Sequence, residues 1–182
     1  MIYSKRALIS VIEKARKVRL LILDVDGVMT KGELLYSGNG EECKAFNVRD
    51  GLGIKMVLRE GIKVAIISGR RSRAVDLRAD DLGIEDVYQG VRDKVAVFEE
   101  IARKHAIKRE QAGFIGDDLA DIPLLLKVGF AVGVADAVEE VKERVDFVTT
   151  CPGGHGAVRE LCELLLKSQG KWEKQLQRLE YQ

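Results

Sequence analysis

Four stretches of the sequence each end an apolar run in residues that together could move a phosphoryl group. The first is Leu20-Leu21-Ile22-Leu23-Asp24-Val25-Asp26-Gly27, a short hydrophobic segment that stops at two carboxylates and a glycine. This is the pattern of a buried strand that opens at its C-terminal end into a polar site. Asp24, as a carboxylate, could attack phosphorus and form an acyl phosphate, splitting hydrolysis into two easier displacements. Asp26, two residues on, could protonate the leaving alkoxide and then deprotonate the attacking water. The second stretch, Ile66-Ile67-Ser68-Gly69-Arg70, offers the Ser68 hydroxyl and the Gly69 amide to phosphoryl oxygens. The third, Arg92-Asp93-Lys94, adds a positive charge at Lys94. The fourth is Phe114-Ile115-Gly116-Asp117-Asp118-Leu119-Ala120-Asp121. Asp24, Asp117 and a backbone oxygen near Asp26 are hard ligands suited to Mg²⁺, with Asp118 and Asp121 able to add a ligand or to orient the others.

Each stretch alone has a plainer explanation. Asp26-Gly27 can be turn residues, Ser68 a helix cap, Lys94 a solvated charge, and the acidic run a helix N-terminus. Their common position speaks against this: Asp24, Ser68 and Asp117 all fall at expected C-terminal strand ends, and Lys94 opens a helix on the same edge. Ligands of open α/β sheets bind beyond that edge.

The elements that must position these residues alternate. An amphipathic helix over residues 2–18, with Ile2, Leu8, Ile9, Ile12 and Ala15 near helical spacing, leads into the strand Leu20–Val25. A hairpin centred on Gly38-Asn39-Gly40 follows, inserted at about 28–48, where it would stand over the site as a lid or pair with another subunit. Asp50 is expected to cap a helix running to Glu60. Strands at Ile62–Ile67, Val87–Tyr88, Gly113–Ile115, Phe130–Val134 and Phe147–Val148 alternate with helices at Ser72–Asp81, Lys94–His105, Leu119–Lys127 and Val138–Arg144. A last helix carries Leu161, Leu164, Leu165 and Leu166 after the glycine turn at 153–156. Beyond Gly170 a polar tail, about 170–182, retains Trp172, Leu176, Leu179 and Tyr181 and is expected to be mobile or to dock on a neighbour. The fold class is α/β: a Rossmann-like parallel sheet with helices on both faces, in one domain spanning 1–182.

Composition narrows the partners. Lys plus Arg total 30 against 29 for Asp plus Glu, a net charge of +1 that gives no electrostatic case for nucleic acid or an acidic membrane. Cys43, Cys151 and Cys162 form neither a disulfide framework nor a zinc motif, which fits a reducing cytoplasm. His105 and His155 are the two histidines, too few for a histidine-centred metal cluster.

In their order and residue types, Asp24-x-Asp26, Ser68, Lys94 and Gly116-Asp117-Asp118-x-x-Asp121 resemble the motifs of the haloacid dehalogenase superfamily. Asp26 marks the phosphatases within it, because phosphoryl transfer needs an acid/base at that position. The small size and the hairpin in place of a large cap domain are similar to its 3-deoxy-D-manno-octulosonate 8-phosphate phosphatase family. So are Ser68-Gly69-Arg70, Tyr88-Gln89-Gly90 and Gly153-Gly154-x-Gly156-Ala157-Val158-Arg159-Glu160. The resemblance implies a Mg²⁺-dependent phosphatase acting on that sugar acid through an aspartyl phosphate, in lipopolysaccharide precursor synthesis. It also implies a homotetramer whose hairpins pair and whose neighbouring subunits complete each active site. Metal binding falls to Asp24, Asp26 and Asp117, catalysis to Asp24, Asp26 and Lys94, and phosphate or substrate binding to Ser68, Gly69, Arg70, Arg78 and Lys94. Arg70, Arg78 and His155 are candidate partners of the substrate carboxylate. Nine-carbon keto-sugar acid phosphates, another small phosphorylated metabolite, or a non-catalytic regulatory role on the same fold are the alternatives.

Overall fold

The computed structural model describes residues 5–180. Ile2 and Tyr181, assigned above to the first helix and the tail, lie outside them, as does the side chain of Leu179. The centre is β1 (Leu20–Leu23), whose four residues are all buried. It is flanked in parallel register by β4 (Lys63–Ser68) and β6 (Ala112–Gly116), with Leu23 opposite both Ile66 and Ile115. The sheet extends through β5 (Asp86–Gln89) on one side and β7 (Phe130–Gly133) and β8 (Phe147–Val148) on the other, in the order β5-β4-β1-β6-β7-β8. All its pairings are parallel. A parallel strand covered on both faces has no solvent side, which is why β1 and β4 read as unbroken apolar runs.

Helices α1 (Lys5–Lys17), α2 (Val48–Arg59), α3 (Arg73–Leu82), α4 (Lys94–Lys104), α5 (Ile122–Leu125), α6 (Glu139–Lys142) and α7 (Ala157–Ser168) cover the sheet. The expected apolar face of α1 is corrected: Leu8 and Ile9 are exposed, and the buried seam is Val11, Ala15 and Val18. Spacings of four and three keep those three on one stripe. The start of α2 also differs. Asn47 is the N-cap, its side chain accepting from the Arg49 amide, and Asp50 sits inside the first turn. There Asp50 is buried and accepts from the Arg159 amide at 2.7 Å, tying α2 to α7. The helix expected over Leu119–Lys127 is a 3-10 turn at Leu119–Asp121 followed by α5. Asp118 and Asp121 bond the local amides there and tighten the entry.

The hairpin is present but small, with β2 (Leu35–Tyr36) antiparallel to β3 (Glu42–Cys43). Leu34, Leu35 and Tyr36 are exposed on it. The tail forms α8 (Trp172–Glu180), which docks on its own chain: Gln175 and Arg178 reach Glu60 at 2.6 and 2.8 Å. Trp172 stacks under Lys167, whose Nζ is 4.8 Å from the ring centroid.

Candidate active site

Because Leu23 aligns with Ile66 and Ile115, the chain leaves β1, β4 and β6 at one level, and Asp24, Ser68 and Asp117 emerge along a single edge. The Asp24 amide donates to the Ile115 carbonyl at 3.2 Å, which holds its backbone against β6. Asp24 is buried, and its Oδ1 accepts from Lys94 Nζ at 2.6 Å. The same ammonium donates to Asp121 Oδ1 at 2.7 Å. Asp121 Oδ2 takes the amides of Asp117 and Asp118 at 2.9 and 3.3 Å, so both Asp121 oxygens are committed. Lys94 is set by Asp93, which caps α4 through the Val95 and Ala96 amides.

The carboxylates of Asp24, Asp117 and Asp121 bring oxygens within 4.8 Å of one another. Burial, with the Asp121 charge next, pushes the Asp24 carboxyl up to about 7 against the pull of Lys94. Burial and the charges of Asp24, Asp121 and Asp118 push Asp117 up to about 8. Three converging carboxyl groups sharing one ammonium are short of positive charge, and hard oxygen donors at this spacing fit a divalent cation such as Mg²⁺. Asp24 and Asp117 are the two left to hold it, since both Asp121 oxygens are taken by Lys94 and backbone amides.

The loop after β1 is wound on the Val25 carbonyl, which accepts from the amides of Val28, Met29 and Thr30 and from the Thr30 hydroxyl. Gly27 needs its positive φ of 86° here, and a Cβ on it would lie 2.0 Å from Asp117 Oδ2. The glycine turn before α7 wedges against this loop: a Cβ on Gly153 would lie 1.7 Å from the Gly27 carbonyl oxygen. Asp136 fixes that turn by accepting from the Gly153 amide at 2.9 Å, and Asn47 by donating to the Gly154 carbonyl at 3.2 Å.

Asp26 is not part of the carboxylate cluster. Its side chain is ion-paired to Lys44, with Arg70 Nε 3.8 Å away, which leaves its backbone oxygen as the atom that could reach a metal. Ser68 is buried at the end of β4, where its hydroxyl accepts from the Arg70 amide at 3.3 Å, and Gly69 follows it on the same edge. Arg70 is half exposed and gripped by Glu42 at 2.6 Å. Asp118 is exposed and accepts from the Leu119 amide at 2.7 Å. Arg78 does not join the cluster in this chain: its guanidinium bonds Asp81 at 2.7 Å and the Asn47 carbonyl at 3.2 Å, beneath the start of α2. His155 is exposed in the glycine turn, with Nδ1 3.2 Å from the Gly153 carbonyl oxygen.

Sequence reasoning missed Lys44 and Glu42. Their one available signal was the spacing Glu42-x-Lys44 on an expected hairpin strand, which puts both side chains on one face.

The chain is similar to known proteins. Residues 83–161 match the family model of haloacid dehalogenase-like hydrolases. A 3-deoxy-D-manno-octulosonate 8-phosphate phosphatase of Escherichia coli is 52% identical over 161 residues, 88% of this chain and 86% of that protein. The crystal structure of the phosphatase of that name from Yersinia pestis superposes with a TM-score of 0.89 at 47% identity, covering 90% of this chain and 89% of that one. The Moraxella catarrhalis phosphatase, solved with a magnesium ion, a phosphate ion and a KDO molecule, gives a TM-score of 0.91 at 39% identity over 93% of this chain and 97% of that one. Identity at this level over nearly the full length of both partners, on a shared backbone, leaves one assignment: the chain belongs to the haloacid dehalogenase-like hydrolases, in the family of 3-deoxy-D-manno-octulosonate 8-phosphate phosphatases.

Proposed function

We infer that this chain is a Mg²⁺-dependent phosphatase that converts 3-deoxy-D-manno-octulosonate 8-phosphate to the free sugar acid and phosphate, a step of lipopolysaccharide precursor synthesis. The observation that carries the reading is the buried Asp24 carboxylate at the sheet edge, bridged through Lys94 to Asp121 and facing Asp117. Relatives of the same family, one of them solved with magnesium, phosphate and sugar acid, support it.

Asp24 attacks phosphorus in line, the P–O bond to the sugar breaks, and Asp26 delivers its proton to the departing alkoxide. Asp26 then takes a proton from water, which attacks the aspartyl phosphate, frees inorganic phosphate and restores Asp24. Lys94, the Ser68 hydroxyl and the Gly69 amide hold the phosphoryl oxygens. Mg²⁺, when bound by Asp24, Asp117 and the backbone of Asp26, supplies the positive charge that offsets repulsion between carboxylate and phosphate. Asp121 orients this set through Lys94 and the Asp117 amide, and Asp118 shapes the turn that carries Asp121. Arg70 stands at the entrance with a guanidinium suited to a substrate carboxylate. Arg78, held in this chain by Asp81 and the Asn47 carbonyl, and the exposed His155 are the further candidates for that carboxylate.

We place the enzyme in the cytoplasm as a homotetramer of single-domain chains, with neighbouring subunits completing each site. The exposed Leu34, Leu35 and Tyr36 on the hairpin support the assembly, and the free cysteines support the compartment. No helix among the described residues is long and apolar enough to cross a membrane.

The test is phosphate release, with Mg²⁺ and with excess chelator, from octulosonate 8-phosphate, a nine-carbon keto-acid 9-phosphate and an aryl phosphate. The expected result is a large kcat/KM advantage for the eight-carbon acid that disappears in chelator. Preference for the nine-carbon acid would keep the mechanism and overturn the substrate. Full activity in chelator would overturn the metal role.

A further inference from the structure

The hairpin delivers a buried lysine to the acid/base. Lys44 follows β3, and its side chain is 2% exposed. Its ammonium is ion-paired to Asp26 Oδ1 on one side and to Glu42 Oε1, at 2.8 Å, on the other. Glu42 also binds Arg70 at 2.6 Å, and Arg70 Nε lies 3.8 Å from Asp26 Oδ2, so the four side chains close a ring. The ring joins three separate segments: the loop after β1, the hairpin and the loop after β4.

The two cations are unequal. Arg70 is 46% exposed and stands off from Asp26, and an exposed, distant pair contributes little. Lys44 is shielded from water and makes direct contact. Among the described residues, no backbone amide donates to the Asp26 carboxylate, so its direction is set by these side chains. An acid/base must face the departing oxygen in the first displacement and the attacking water in the second, and small misplacement of such a group is costly in rate.

We propose that Lys44 is a positioning residue for proton transfer: bridged to Glu42, it holds the Asp26 carboxylate toward the leaving group and makes that orientation depend on a seated hairpin. The proposal rests on Asp26 being the acid/base of the reaction inferred above.

Leaving-group chemistry tests it. A sugar alkoxide needs a proton as it departs, whereas p-nitrophenolate leaves readily without one. Lys44→Met, Lys44→Arg and Asp26→Asn are compared in the full chain with Mg²⁺ present, on octulosonate 8-phosphate and on p-nitrophenyl phosphate, by the single-turnover rate at which the sugar acid or p-nitrophenolate is released, since hydrolysis of the aspartyl phosphate needs Asp26 with either substrate. Lys44→Met should lower this release rate on the sugar phosphate about 100-fold, leave the half-saturating substrate concentration within about threefold, and lower the rate on the aryl ester by less than about fivefold. Lys44→Arg should recover most of the loss, and Asp26→Asn should show the same selectivity with a larger effect. Equal losses on both substrates for Lys44→Met, beside selective loss for Asp26→Asn, would overturn the proposal and leave the phosphatase reading intact. An unchanged release rate on the sugar phosphate would overturn it too. A wild type that releases phosphate from neither substrate would overturn the reading and this proposal together. Circular dichroism checks folding, and Lys44→Gln gives the same comparison should the methionine variant not fold.

Discussion

Replacing Asp24 with Asn should abolish turnover and, in the metal-free protein, raise stability. The Asp24 carboxyl is buried beside Asp121, and its titration moves from the ordinary 3.8 to about 7. A folded-state value above the unfolded one means that the native protein holds the proton more tightly. Stability from this group is therefore full at low pH and declines as pH rises from about 4 to about 7. At about 1.4 kcal/mol per tenfold, the ionised group costs the metal-free fold about 4 kcal/mol above pH 7. Asn keeps the shape and removes the charge, but Lys94 then loses one of its two carboxylate partners. That loss reduces the net gain to about 1–3 kcal/mol. The assay is urea denaturation in chelator at pH 5 and pH 8, with phosphate release measured alongside. Asp24→Asn should be the more stable protein at pH 8, match the wild type near pH 5, and release no phosphate at either pH. A variant less stable than the wild type at pH 8 would refute the electrostatic argument. Activity near the wild-type level would refute the nucleophile.

Three further outcomes follow from the same geometry. Burial raises the Asp86 carboxyl, but hydrogen bonds from Lys104 and His105 at 2.7 and 2.6 Å outweigh it and hold it below the ordinary value. Asp86→Asn should therefore destabilise by about 1–3 kcal/mol at pH 7, the deficit closing as pH falls below about 4, and a deficit unchanged at pH 3 would contradict this. Gly153→Ala puts a methyl group 1.7 Å from the Gly27 carbonyl oxygen, so thermal melting should show a loss of about 1–3 kcal/mol or more, with a fall in kcat as the Asp26-Gly27 loop shifts. A wild-type melting curve would count against the wedge. Sedimentation velocity should show four chains per particle, and a monomer at working concentration would refute the assembly.

The chemistry was legible because strand ends announce themselves. Unbroken apolar runs such as Leu20–Leu23 and Val64–Ile67 are foreign to solvated loops, and the first polar residue after such a run lies at the sheet edge: Asp24 after β1, Ser68 at the end of β4. Asp24, Ser68 and Asp117 could thus be grouped from spacing alone. Boundaries governed by side-chain partners could not. Asp50 looked like a cap because Asp favours caps, but the Arg159 amide, more than a hundred residues away in sequence, donates to it as a buried partner inside α2. Leu8 and Ile9 looked buried because helical periodicity does not say which stripe meets the sheet.

By itself the sequence determined the parallel α/β fold, the order of the strands that carry polar ends, and the residue types available for phosphoryl transfer. Those follow from local apolar runs, their periodicity and the punctuation between them. Only the tertiary structure decided which charges meet. It set Lys94 between Asp24 and Asp121, turned Asp26 to Lys44, which Glu42 of the hairpin also binds, drew Arg78 to the Asn47 carbonyl, and packed Gly153 on Gly27. Pairings of this kind join segments far apart in the chain, and their directions depend on the register of β1 against β4 and β6, which local sequence does not encode.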